Sequence, residues 1–97
     1  MDYAVFKVPK DKKLVTAKVT SDDIVSRQSI VSREGSVLGL GEEWNFVLIE
    51  GSPDGLDRAR ELFKENQVSE AEDREAVYKK IKEEEESAAG GMGMLFG

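Results

Sequence analysis

The chain has no cysteine and no histidine among its 97 residues, and those two absences remove a large share of protein chemistry. Without thiols there is no disulfide framework, thiolate nucleophile or zinc ribbon. Without imidazole there is no base that titrates near neutrality and no nitrogen ligand for a metal. Proline occurs only twice, at Pro9 and Pro53, so each marks a boundary rather than a pattern. Long apolar runs are missing too: none approaches the roughly 20 residues that a membrane span needs. The start, Met1-Asp2-Tyr3, lacks the basic residues and apolar core of a signal peptide, so a cytoplasmic protein is expected.

What is present is charge. Charged residues make up 35% of the chain, and Glu, Lys and Arg far outnumber two Asn and two Gln, a balance that leans towards a thermophile. The formal charge of −6 is unevenly placed: residues 1–82 hold 16 acids against 14 bases, whereas residues 83–97 hold four acids and no base. A nearly neutral body of one domain, 1–82, is therefore followed by an acidic, glycine-rich segment, 83–97, that cannot bury a core and is expected to be flexible.

Along the body, Tyr3 to Val8 alternates Ala4, Phe6 and Val8 against Tyr3, Val5 and Lys7, as a strand does, and Pro9 ends it. Leu14 to Val19 alternates again through Val15, Ala17 and Val19, so the two runs read as a hairpin. Ile24-Val25-Ser26-Arg27 recurs six positions later as Ile30-Val31-Ser32-Arg33. An even offset favours extended structure, while Ser21-Asp22-Asp23 is a helix start; both a continuous extended segment and a helical turn at 22–27 before a strand at 28–33 fit. Ser36 to Leu40 is a short apolar run among turn glycines Gly35, Gly39 and Gly41. Trp44 to Glu50 is apolar on both faces, which places it in the middle of a sheet. Ser52 as N-cap and Pro53 at the first position open a helix to about Glu65, with Leu56, Ala59, Leu62 and Phe63 as its stripe. Ser69-Glu70-Ala71-Glu72 has the form of a capping box and opens a second helix towards Glu86. The expected class is α+β: a small antiparallel sheet of three to five strands covered by one helix, a second C-terminal helix, then the flexible tail. Its core is expected from Trp44, Phe46, Leu48 and Ile49 with Leu56, Leu62 and Phe63.

No catalytic constellation emerges. The glycines lack the lysine and spacing of a phosphate loop. Lys18, Arg27, Arg33 and the lysines of 10–13 are basic, but no aromatic residue stands among positions 7–43 to stack a base, which speaks against nucleic acid. Glu83 to Glu86 lack the spacing of a calcium loop and read as a solvated tract. No cofactor and no metal are expected.

The tail is different, because it does not end polar. Met92, Met94, Leu95 and Phe96 are held beyond Gly90, Gly91 and Gly93, where a monomer gains nothing from them. The run Glu83-Glu84-Glu85-Glu86-Ser87-Ala88-Ala89-Gly90-Gly91-Met92-Gly93-Met94-Leu95-Phe96-Gly97 resembles the C-terminus of the archaeal acidic stalk protein of the large ribosomal subunit. That family closes a charged hinge and an Ala/Gly segment with Leu-Phe-Gly. The resemblance covers these fifteen residues only; the strand-rich body does not resemble the helical dimerisation domain of that family and is similar only to small α+β domains of archaeal proteins. It implies that Leu95, Phe96 and Gly97, with Met92 and Met94 in place of other apolar residues, insert into a hydrophobic groove of a translation GTPase or another ribosome-associated factor. The sequence thus points to a non-enzymatic protein-binding module. The alternative is a regulatory or small-ligand-binding α+β domain whose tail only solubilises it; the oligomeric state is open.

Overall fold

The computed structural model describes the backbone of residues 2–96 and the side chains of residues 2–86. Four strands, β1 (Asp2–Pro9), β2 (Ser29–Glu34), β3 (Trp44–Gly51) and β4 (Ser69–Glu70), and three helices, α1 (Lys13–Thr20), α2 (Pro53–Glu65) and α3 (Arg74–Phe96), succeed one another along the chain. The sheet order is β2-β3-β1-β4, and every neighbouring pair is antiparallel. Two β-α-β units, β1-α1-β2 and β3-α2-β4, are therefore interleaved, which is the ferredoxin-like split β-α-β arrangement. The α+β class with an antiparallel sheet is as the sequence indicates.

β1 and β3 are the two central strands, paired over their full length from Asp2↔Gly51 to Pro9↔Trp44. Successive side chains point to opposite faces, and both faces of both strands are apolar, so each face needs a cover. On one face Ala4, Phe6, Val8, Val47 and Ile49 meet Val19 of α1, Val25, and Leu56, Ala59 and Phe63 of α2. Phe6 and Phe63 stack there with ring centroids 4.3 Å apart. On the other face Val5, Phe46 and Leu48 meet Leu38, Ala71 and the α3 residues Val77 and Ile81. The molecule has three layers, with α1 and α2 on one side of the sheet and α3 on the other.

Leu14 to Val19 is a helix, not the strand its alternation indicates. Val15 and Val19 are four apart as well as even-spaced, so the same residues satisfy a helical face. The structure decides by leaving Ala17 exposed and Leu14 80% exposed while burying Val19. The hairpin of β1 with this segment therefore does not exist, and β1 pairs with β3 and β4 instead. Between α1 and β2 a 3-10 turn spans Val25–Arg27. Asp22 caps it, accepting from the N–H groups of Ile24 and Val25 at 3.1 and 3.2 Å, so the helical-turn reading of 22–27 is the one realised.

α2 forms where expected. Ser52 Oγ accepts from Gly55 N at 3.2 Å, with Pro53 next in line. The helix stops in a Schellman motif: Gln67 adopts φ 61°, Gln67 N donates to Lys64 O, and Val68 N donates to Phe63 O. Val68 then returns into the core beside Phe63. Ser69 does not cap a helix. Lys7↔Ser69 and Phe6↔Glu70 pair as strand, Ala71 N donates to Val5 O at 2.8 Å, and α3 starts five residues later at Arg74. A capping box is local, and here the ladder on β1 takes the same backbone groups. The tail residues Met92, Met94, Leu95, Phe96 and Gly97 lie outside the described side chains.

Leu48, Ile49, Leu56, Phe63 and Phe46 are buried as expected, whereas Trp44 and Leu62 are half-buried at the margins. Phe63→Ala removes a stacked, fully buried ring and should cost about 3–5 kcal/mol, in the range for buried aromatics. Leu62→Ala should cost clearly less. Urea denaturation of the two variants checks the order, and equal losses would mean that α2 is rotated from its described orientation.

Candidate functional site

Two places on the α3 side of the sheet combine shape with chemistry, and both arise because α3 crosses the sheet without covering all of it. The first is the fastening of α3. Its buried aliphatic side chains among the described residues are only Val77 and Ile81, a thin stripe for a helix, and polar contacts along its flank hold it in place. Tyr78 stacks on Tyr3 of β1 at 4.2 Å between ring centroids and 16° between planes. Arg74 lies 5.3 Å from the Tyr3 ring and Lys82 5.4 Å from the Tyr78 ring, so a cation closes each end of the stack. Glu50 of β3 accepts from Lys82 Nζ at 2.7 Å and from the Tyr78 hydroxyl at 3.3 Å. Two residues further on, Glu84 accepts from Arg33 Nε of β2 at 2.7 Å. Glu84 therefore belongs to the docked helix, and the acidic run begins on the body rather than beyond it.

These contacts move protons as well as atoms. The Glu50 carboxylate holds the Lys82 ammonium above its ordinary value. Burial, then the Glu50 charge, pushes the Tyr78 phenol up. On the far side of the sheet Asp22 sits below the usual carboxylate range: burial opposes this, but the N–H groups of Val25 and Ile24 and the Arg58 guanidinium outweigh it. Each shift is accounted for by packing, an ion pair or a cap that belongs to the fold.

The second place is an open groove of about 480 Å³ between α3, β4 and the far end of β1 and β3. Its floor is Phe46 and Trp44, and Leu40, Ala76 and Val77 are among its walls. Lys7 Nζ stands 4.1 Å from the centre of the Trp44 ring, and Glu70, Glu72 and Asp73 also line the groove. Trp44, expected in the core, is thus half core and half groove floor. The loop that brings Leu38 and Leu40 to this face depends on glycine. Gly39 and Gly41 have φ of 72° and 106°, and any side chain on Gly35 would meet the carbonyl oxygens of Gly41 and Trp44.

The basic residues flagged in the sequence do not converge. Arg27 pairs with Asp23, Arg33 with Glu84, and Lys18 is exposed on α1. Among the described residues no group of three or more acids is placed to hold a metal ion, and no helix is long and apolar enough to cross a membrane. The expected partner residues Met92, Met94, Leu95, Phe96 and Gly97 fall outside the described side chains, so the structure brings none of them to either place. The groove was missed by sequence reasoning because Lys7, Trp44 and Ala76 are far apart in the chain and share no motif. No family model, curated protein or solved structure matches the chain.

Lys82 and Tyr78 both hold their protons more tightly folded than unfolded, so the stability they contribute is intact below about pH 10 and is lost as pH rises through their raised values. Glu50→Gln should flatten that alkaline loss. Thermal midpoints of both proteins between pH 8 and 11 check this, and parallel curves would show that Glu50 does not govern α3.

Proposed function

We propose that the protein is a non-enzymatic binding module in which the body is a rigid platform and the C-terminal segment captures a protein partner. The observation that carries this reading is the fastening of α3. A helix held to the sheet by the Tyr3–Tyr78 stack, the Lys82–Glu50 pair and the Arg33–Glu84 pair launches the residues after Glu86 from a fixed point. The resemblance of the last fifteen residues to a ribosomal stalk tail gives the chemistry of the partner: an apolar groove on a translation GTPase or another ribosome-associated factor, filled by Leu95 and Phe96 with Met92 and Met94 beside them.

Magnitudes set the affinity. Burying four apolar side chains stabilises the complex by about 6–12 kcal/mol at roughly 1.5–3 kcal/mol each. Fixing the segment opposes this by roughly 1–2 kcal/mol per ordered residue. The surplus corresponds to micromolar binding or weaker. The acids at 83–86 add long-range attraction to a basic rim, an effect that fades with salt.

The Trp44 groove supports a second reading, a small-ligand or regulatory domain, because an apolar floor beside one lysine is the form of a ligand cleft. Calorimetric titration of the full chain against archaeal elongation factors separates the two. Leu95→Ser and Phe96→Ser should each weaken binding by about tenfold or more, equal to about 1.4 kcal/mol, with Trp44 emission unchanged. Trp44 is the only tryptophan and lines the groove, so its fluorescence reports on that part of the fold. Absence of binding at several hundred micromolar, or serine variants that bind equally, would sink the tail reading.

A further inference from the structure

The two edges of the sheet are unlike. β4 has two residues, whereas β2 presents six, Ser29–Glu34, with no proline and no bulge in its register with β3. Long edges of this kind template further strand pairing unless something blocks them. The alternation of the antiparallel ladder fixes which groups are free. Gly35 N donates to Trp44 O, so Gly35, Arg33, Val31 and Ser29 direct their backbone groups to β3, and Glu34, Ser32, Ile30 and the extended Gln28 direct theirs outward. Two of the outward groups are already taken locally: Gln28 N donates to Val25 O and Glu34 O accepts from Val37 N. Ser32 O accepts from Arg33 Nη1 and keeps a second lone pair. The rest, namely Ile30 N and O, Ser32 N, Glu34 N and Gln28 O, have no partner among the described residues.

From this pattern we infer that the β2 edge pairs with the β2 edge of a second copy of the chain, antiparallel about a two-fold axis at Val31, to make one eight-stranded sheet. In this register the two occupied groups Gln28 N and Glu34 O face each other, and the one acceptor shared with a local bond is Ser32 O, through its second lone pair. Ile30 opposes Ser32 of the second copy and exchanges both bonds with it, while Glu34 opposes Gln28. In that last pair the two groups already engaged, Gln28 N and Glu34 O, are the two that would have bonded each other, so Glu34 N and Gln28 O are left matched. A shift of two residues one way sets Ile30 N against Glu34 O and Ser32 N against Ser32 O, so that two acceptors in each copy are shared with local bonds instead of one, and a shift the other way shortens the overlap. Charge agrees: Arg33 faces Ser29, Glu34 faces Gln28, and no like charges are opposed. Apolar surface agrees too: Val31 meets Val31 across the axis, and half-buried Ile30 lies on the other face of the strand. The inference is independent of the tail, although a dimer would present two tails and raise avidity.

The chain has no cysteine, which makes a direct test available. Val31 lies at a non-hydrogen-bonded position of the new pairing, where opposed Cα atoms are about 4.5 Å apart and within disulfide reach. Val31→Cys in the full chain should crosslink to twice the monomer mass of 10.8 kDa under mild oxidation. Ser29→Cys, two positions from the axis, should stay single. In parallel, sedimentation equilibrium of the unmodified chain should show the mass doubling with concentration, and Ser32→Pro, which deletes only an outward N–H, should abolish the doubling while keeping the circular dichroism of the fold. If Ser32→Pro does not fold, the cysteine comparison decides alone. A chain that stays at 10.8 kDa through several hundred micromolar, or a Ser29→Cys variant that crosslinks as readily as Val31→Cys, overturns the proposal.

Discussion

The constraint on which the structure depends is that its two central strands are apolar on both faces. Val5, Phe6, Val47 and Leu48 are all fully or almost fully buried, and a sheet of this kind is stable only between two layers. The elements around these strands serve that need. α2 is placed by Ser52 and Pro53 and returned to the sheet by the Schellman turn at Gln67, which closes the first face. The glycine-dependent loop at 35–41 and α3 close the second.

The two covers are built from different forces. The α1/α2 side is a continuous apolar cluster, with Phe6 stacked on Phe63 and Val68 behind them. The α3 side has two fully enclosed aliphatic residues on the helix and relies on aromatic stacking, Lys82–Glu50 and Arg33–Glu84 around them. A ferredoxin-like sheet carries many functions in different proteins, so the fold by itself does not choose one. The proposed reading rests instead on the fastening of α3 and on the segment that follows it.

Much of the architecture was legible in the sequence because the signals were local and redundant. Trp44 to Glu50 reads as a central strand from its two apolar faces alone, and Ser52-Pro53 fixes the start of α2 to the residue. The failures have one cause, a pattern that two structures can satisfy. Val15 and Val19 suit a strand and a helix equally, and only the tertiary need to bury Val19 while exposing Ala17 settles it. Ser69 and Glu72 suit a capping box, yet β1 competes for the same backbone and wins. The groove was not legible because its walls come from five separate segments. The Arg33–Glu84 pair was hidden for the same reason, spanning 51 positions in sequence. The apolar terminus, by contrast, is legible only in sequence.

The unequal covers have a consequence for how the protein meets its surroundings. Ion pairs at a half-exposed surface weaken as salt screens them, whereas apolar burial strengthens in the salts that are excluded from protein surfaces. The two layers of one small domain therefore answer to the medium in opposite senses. In dilute buffer the ion pairs of α3 contribute most, and in concentrated salt its hold on the sheet rests on Val77, Ile81 and the Tyr3–Tyr78 stack. The hold on α3 is thus set by the solution as well as by the chain.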